Sequence, residues 1–221
     1  MLRSLSACDW LAGWSQRSAQ GASPRVDTAQ LIRSAQAGDV QAFNALVLAH
    51  QDQVYSLAYR FMGQRPAAED ATQEAVLRAY RAIRSFRGDR FRPWLLAIVA
   101  NTCRDELRRQ RRRPTQSLDG RGGSEDAPAL DPPDPGPSPE DGAMNSELRV
   151  ALERALLQLP EDWRIVVVLS DVHGLSYEEV AQAAALPLGT VKSRLSRARA
   201  RLRDILMATG ELVPPSGRPS V

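Results

Sequence analysis

The sequence predicts an all-α protein of two small helical domains joined by a flexible linker rich in Pro and Asp, on three observations. Apolar residues recur at helical spacing through most of the chain. Helix-start and helix-stop residues bracket those runs. Between Pro114 and Gly142 the pattern breaks, and Pro128, Pro132, Pro133, Pro135, Pro137 and Pro139 stand among Asp119, Glu125, Asp126, Asp131, Asp134, Glu140 and Asp141, opposed only by Arg121.

With 221 residues, 43% of them hydrophobic, the chain can bury one ordinary core or two small ones. Its net charge of +3 conceals an uneven spread: Lys192 is the sole Lys among 29 basic residues, and the acidic residues gather in the middle. Cys8 and Cys103 are too few and too far apart for a disulfide framework or a zinc site, His50 and His173 being the only histidines, which fits a reducing cytoplasm. The stretch after Arg3 is interrupted by Asp9 and falls short of a membrane span, so neither a signal peptide nor membrane insertion is expected.

Residues 1–26 read as a disordered extension. In the first domain, 27–113, Phe43, Leu46, Val47, Val54, Leu57, Ala58 and Phe61 share one helical stripe, with Asp39 after Gly38 as N-cap and His50 as a packing residue on the stripe. A second helix opens at Pro66, a residue suited to a first turn, and runs through AAEDATQEAVLRAYRAI. A third starts near Pro93 and Trp94 and buries Leu95, Ile98, Val99, Thr102 and Leu107. Segment 114–143 lacks the apolar residues that would offset its ordering entropy and is read as the linker.

The second domain, 144–208, begins with Leu148, Leu152, Ala155, Leu156 and Leu159 on one face, ended by Pro160. In EDWRIVVVLSDVHG the β-branched run Ile165 to Val168 has strand propensity, yet Glu161 and Asp162 favour a helix start and Gly174 suits its end, so helix is predicted. Ser176 with Glu179 forms a capping box, and Thr190 after Gly189 is the expected N-cap of the next helix; together they frame a helix-turn-helix around Leu186, Pro187 and Leu188. Ala185 falls where such a turn often places Gly for a left-handed backbone, at a cost of roughly 1 kcal/mol. Residues 209–221 read as a disordered tail.

On the second helix Val191, Leu195, Ala198, Leu202, Ile205 and Leu206 form the apolar stripe, leaving Lys192, Ser193, Arg194, Ser196, Arg197 and Arg201 on the other side. Ordinary solvated helices mix Glu with Arg, whereas no acid occurs between Gly189 and Arg203. A donor-only helix of this kind suits the major groove of double-stranded DNA, where Arg bonds two acceptors of one guanine edge.

These residues resemble the extracytoplasmic-function sigma factors of RNA polymerase, members of the sigma-70 family. The likeness covers Leu31 to Arg113 and Leu148 to Leu206, and rests on AEDATQEAVLRAYRAI, SFRGD and WLLAIVANTCRDELRR, then LPEDWRIVVVLSDVHGLSYEEVA and GTVKSRLSRARARL, in that order. It implies a region 2 bundle followed by a region 4 helix-turn-helix, binding to core RNA polymerase, and promoter recognition, DNA opening and transcription initiation. By this resemblance Asp70, Gln73 and Glu74, one face of a helix, contact the core polymerase. Val76 stands where the family often has Phe. Asn101, Asp105 and Arg108 match the minus-ten motif, with Arg104, Arg109, Arg111, Arg112 and Arg113 as a phosphate track. Phe86, Arg90, Phe91 and Arg92 are the loop candidates for capturing a base of the opened nontemplate strand, while Trp94 packs beneath. Lys192, Ser193, Arg194, Ser196 and Arg197 match the positions that read the minus-thirty-five element, with Arg201 on the same face. An anti-sigma factor is the further partner the family implies.

The two promoter elements lie about 25 base pairs, or roughly 85 Å, apart. A Pro-stiffened linker at about 3.1 Å per residue reaches roughly 90 Å, so the composition suits the span. The competing reading, a stand-alone helix-turn-helix regulator that binds an operator without core polymerase, needs a sensor or dimerisation segment that is not legible. An enzyme is not predicted, and no cofactor or metal is expected: there is no Gly-rich phosphate loop and no nucleophile–base pair, and Glu69, Asp70 and Glu74 have no matching ligand cluster on a second helix.

Overall fold

The computed structural model describes residues 28–88, 90–112 and 149–209, and every described element is helical. The predicted extension, the linker and the tail from residue 210 lie outside the described residues, as do Arg113 and Leu148. The first unit comprises α1 (Thr28–Gln36), α2 (Val40–Leu48), α3 (Gln51–Met62), α4 (Arg65–Ala82), a 3-10 turn (Ile83–Ser85) and α5 (Phe91–Arg112). The second comprises α6 (149–157), α7 (Glu161–Val167) running into a π turn (Val168–Val172), α8 (Tyr177–Ala184) and α9 (Leu188–Ala208).

Asp39 caps α2 as predicted, its carboxylate accepting from the amides of Gln41 and Ala42 at 2.8 and 3.2 Å. The stripe that reads as one helix is buried throughout, but the chain breaks at Ala49 and His50 into α2 and α3. Phe43 and Val54 are about three helical turns apart, so the break leaves the apolar phase intact and periodicity passes over it. Helix α1, which periodicity also passed over, buries Ile32 and Ala35, and Gln36 donates to the Phe86 carbonyl at 2.8 Å. Helix α4 buries only small residues, Ala68, Ala71, Thr72, Ala75 and Ala79, which lets it lie close against α3 and α5. Helix α5 starts at Phe91, two residues before the predicted Pro93, because the Phe91 ring is drawn into the core beside Trp94. Of its predicted stripe, Leu95, Val99 and Thr102 are buried while Ile98 and Leu107 are partly so, and Leu96, Ala100 and Cys103 complete the face. Burial pushes the Cys103 thiol up to about 12, so it stays protonated and packs as a small apolar group.

In the second unit Ala151, Ala155, Leu156 and Leu159 face inward, and Leu152, predicted as core, is 37% exposed. The run Ile165 to Val168 is helical as expected, each side chain buried, so packing overrides β propensity. The capping box is present in full, Glu179 N–H to Ser176 Oγ at 3.2 Å and Ser176 N–H to Glu179 Oε2 at 2.8 Å. Thr190 is not the N-cap: α9 starts at Leu188 with extended Pro187 before it, since proline's fixed φ and missing donor suit a helix entrance. Thr190 lies in the first turn, where its carbonyl accepts from Ser193 Oγ at 3.0 Å.

Ala185 adopts the left-handed conformation, φ 53° and ψ 49°, that the turn requires. It is solvent-exposed, so its methyl contributes little packing. Ala185→Gly is therefore expected to raise the unfolding free energy by about 0.5–1 kcal/mol, the relieved strain exceeding the added chain entropy. Urea unfolding checks it.

The two units pack against each other, and their buried apolar residues form one contiguous cluster. Buried Arg164 of α7 crosses between them, donating to the Phe61 carbonyl at 2.7 Å and to the carbonyls of Leu157 and Leu159 at 2.7 and 3.1 Å. Arg60 faces Glu153 at 3.5 Å. Gly63, at φ 71°, closes α3 in the left-handed region that favours glycine, and an added Cβ would lie 2.9 Å from the Leu157 methyls, which would have to turn aside.

Candidate nucleic-acid interface

Helix α9 presents the predicted donors. Val191, Leu195, Ala198, Leu202, Ile205 and Leu206 are buried, which fixes the roll of the helix and turns Lys192, Ser193, Ser196, Arg197 and Arg201 to solvent. Arg194 is less free: its side chain is 23% exposed and pairs with Asp162 at 3.1 Å. Arg199 donates twice to Asp171, at 2.8 and 2.6 Å, pinning α9 to the π turn. That bidentate pair raises the Arg199 pKa. Sequence reasoning did not single out Arg199, because its partner enters from another element.

On α5, Asn101, Asp105, Arg108 and Arg112 are exposed and Arg104 is half-buried. Burial, then the neighbouring Arg108, lowers the Arg104 pKa. Asp105 accepts from Arg78 at 2.8 Å, and Arg78 also donates to Glu74 at 2.9 Å, so one guanidinium joins α4 to α5.

The loop before α5 departs from expectation. Phe86 and Phe91 are 6% and 2% exposed, and their rings pack on each other, on Trp94 and on His50, with centroids 4.9 to 6.2 Å apart. In this conformation they are core and offer no open wall to a base. The reason is the short connection, which brings the 3-10 turn and the start of α5 together over His50. Trp94 packs beneath, as predicted. Arg90 and Arg92 remain at the rim: Arg90 pairs with Glu179 at 3.0 Å, and Arg92 donates to Gln53 Oε1 and the His173 carbonyl.

On α4 Asp70 is exposed and Gln73 and Glu74 are half-buried, on one face as spacing required. The same face carries Leu77, 50% exposed, one turn beyond Gln73 and Glu74. A large apolar side chain in that polar row is the signal the sequence held and the motif comparison passed over.

His173, the residue after the π turn, is 6% exposed, and its Nε2 has no hydrogen-bond partner among the described residues. Burial, then Arg60 and Arg92, pushes its pKa down to about 4, and burial lowers His50 likewise. The folded protein holds His173 neutral while the unfolded chain takes a proton near pH 6.5. Stability is therefore full above that pH and falls as pH drops toward about 4, by on the order of 2–3 kcal/mol. Urea unfolding at pH 7 and pH 4.5 is expected to show the loss, and His173→Gln to flatten it.

The model of sigma-70 region 2 matches residues 46–113, and that of sigma-70 region 4 matches residues 149–202. The ECF RNA polymerase sigma-E factor of Escherichia coli strain K12 is 41% identical over 178 residues, covering 76% of this chain and 88% of that protein. The structure of CnrH in complex with the cytosolic domain of CnrY superposes with a TM-score of 0.57 at 28% identity, over 80% of this chain and 96% of that one. The sigma factor RpoE of Bartonella quintana, solved with the anti-sigma factor NepR, shares the fold at a TM-score of 0.57 and 24% identity, over 76% of this chain and 98% of that one.

Proposed function

The chain belongs to the sigma-70 family as an extracytoplasmic-function sigma factor of RNA polymerase, and from that premise we propose how its two units divide the work. Helix α4 docks on core polymerase through Asp70, Gln73 and Glu74, with Leu77 as the apolar centre of the contact; the exposure of that leucine between polar neighbours supports it. Helix α5 takes the minus-ten element through Asn101, Asp105 and Arg108, with Arg104 and Arg112 on phosphates. Arg90 and Arg92 flank the opened nontemplate strand. Helix α9 takes the minus-thirty-five element in the major groove.

The observation that carries this division is the placement of α9. Its apolar stripe is buried to the last residue, and α9 itself carries no carboxylate before Asp204, so Lys192, Ser193, Ser196, Arg197 and Arg201 lie exposed on a donor-only helix. A sigma factor performs no bond chemistry of its own; it lowers the barrier to initiation by binding and by stabilising opened DNA. It works where DNA and polymerase are, in the cytoplasm. CnrH and RpoE are each held by a partner in their solved complexes, and an anti-sigma factor is proposed for this chain on the same basis.

Reconstitution with core polymerase tests the reading. Run-off transcription from promoters found by start-site mapping after overexpression is expected to depend on the chain. A protein that footprinted DNA alone and never stimulated initiation would be a stand-alone regulator instead.

A further inference from the structure

The family resemblance gives Arg199 and Arg203 no role, yet the structure gathers both into one groove. Where the start of α8 meets α9 the groove has a volume of about 640 Å³; α9 contributes Lys192, Ser196, Arg199 and Arg203 to it, and α8 contributes Tyr177. Among the described residues no carboxylate lines it. At about 100° per residue, positions 192, 196, 199 and 203 fall within about 60° of one another and extend about 16 Å along the helix. Arg197 and Arg201 lie roughly 130° and 170° around the helix from the middle of that row, and the buried stripe roughly 100° the other way. Arg199 is held in place: it donates to Asp171 at 2.8 and 2.6 Å and also bonds the Tyr177 side chain, so its own charge is answered and it fixes the phenol. Lys192 and Arg203, at the two ends of the row, are exposed and have no ion pair among the described residues.

We propose that this groove seats the sugar-phosphate backbone of one strand of the promoter duplex beside the minus-thirty-five element, with Lys192 and Arg203 on its phosphates and the hydroxyls of Ser196 and Tyr177 as neutral donors between them. This rests on the placement of α9 in the major groove given above. A major groove about 12 Å wide leaves little side room for a helix about 10–12 Å across. The side of α9 opposite its buried stripe then meets the base edges, and its two flanks meet the two phosphate walls. Ser193 and Arg197 face the bases, Arg201 falls on one flank, and the row from Lys192 to Arg203 falls on the other. Two free cations about 16 Å apart, against one charge per about 3.4 Å of axis on each strand, span more than one phosphate. Phosphates carry no base identity, so Arg203 is a positioning residue: it sets the roll and register of α9 over the bases that Arg197 reads.

The test uses holoenzyme formed from the full chain and a duplex promoter fragment found by start-site mapping, with affinity measured at several salt concentrations. Arg203 is exposed, so its truncation spares the core. Arg203→Ala is expected to weaken binding on the order of fivefold to tenfold and to reduce the slope of log affinity against log salt by about one, to the same extent on single-base variants of the minus-thirty-five element as on the original. Arg203→Lys is expected to keep the slope, since one phosphate asks for a point charge and not a planar fork. Tyr177→Phe is expected to weaken binding less and to leave the slope unchanged, because it removes a donor and no charge. Fragments in which the phosphates beside the element are replaced one at a time by uncharged methylphosphonate complete the cycle: at one position the loss caused by Arg203→Ala is expected to vanish. An unchanged salt slope, or additive losses at every position, overturns the groove as a phosphate seat, while weakening by Arg197→Ala would still leave the element to α9. Loss of holoenzyme assembly in Arg203→Ala also overturns it and gives the groove to core polymerase. Failure of the unaltered holoenzyme to bind the fragment would remove the sigma-factor reading itself, and the role of the groove with it.

Discussion

Replacing Arg194 and Arg197 together by Ala is expected to lower promoter-directed transcription by about 30-fold or more while leaving association with core polymerase unchanged. Each guanidinium can give two parallel hydrogen bonds to one guanine edge, a contact worth about 1–3 kcal/mol of discrimination. Two such losses sum to at least about 2 kcal/mol, and tenfold corresponds to about 1.4 kcal/mol. The two arginines are not equivalent. Arg197 is exposed with no ion pair among the described residues, whereas Arg194 must first leave Asp162. That pair is partly exposed and costs at most about 1 kcal/mol to break, so Arg197→Ala alone is expected to show the larger share. Salt dependence separates base reading from phosphate contact. Arg201, one turn beyond Arg197 on the exposed face, is proposed to hold a phosphate, so Arg201→Ala is expected to reduce the slope of log affinity against log salt by about one, and Arg197→Ala to weaken binding with little change of slope. Run-off transcription and holoenzyme binding at several salt concentrations measure both. Unchanged start-site choice in the double variant would remove α9 from promoter reading.

What the sequence disclosed and what it withheld follow from the range of the forces concerned. The capping box at Ser176 and Glu179 is a local exchange of hydrogen bonds, and the structure contains it as read. The apolar stripe of α9 is a matter of helical phase, and all six of its predicted members are buried. The α2–α3 break escaped because it preserves that phase. Thr190 reads as the N-cap because its hydroxyl could accept from a first-turn amide, while chain geometry prefers the fixed φ of Pro187 at the helix entrance. Phe86 and Phe91 read as candidates for a base-capturing wall from their place in the loop and their aromatic rings; their burial depends on His50, which the break between α2 and α3 brings against Phe91, and on Trp94, one turn into α5. The inter-unit contacts were illegible for the same reason. Glu179 reads locally as a cap, and only the packed chain shows that its second oxygen answers Arg90 across 89 residues of sequence.

Phe91→Ala is expected to cost about 3–5 kcal/mol of stability, out of the roughly 5–15 kcal/mol that a domain commonly has. The ring is almost wholly buried and touches Phe86, Trp94 and His50, so its removal leaves a cavity where α5 begins. Because α5 is the helix proposed to take the minus-ten element, transcription is expected to fall too, and that loss alone would not tell a core ring from a ring that stacks on a captured base. Phe91→Leu separates them. Leucine refills most of the cavity but has no π face, so a packing role predicts that stability and transcription recover together, with the denaturant midpoint near that of the unaltered chain. A stacking role predicts recovered stability with promoter opening still lost. The burial of the ring among Phe86, Trp94 and His50 argues for joint recovery.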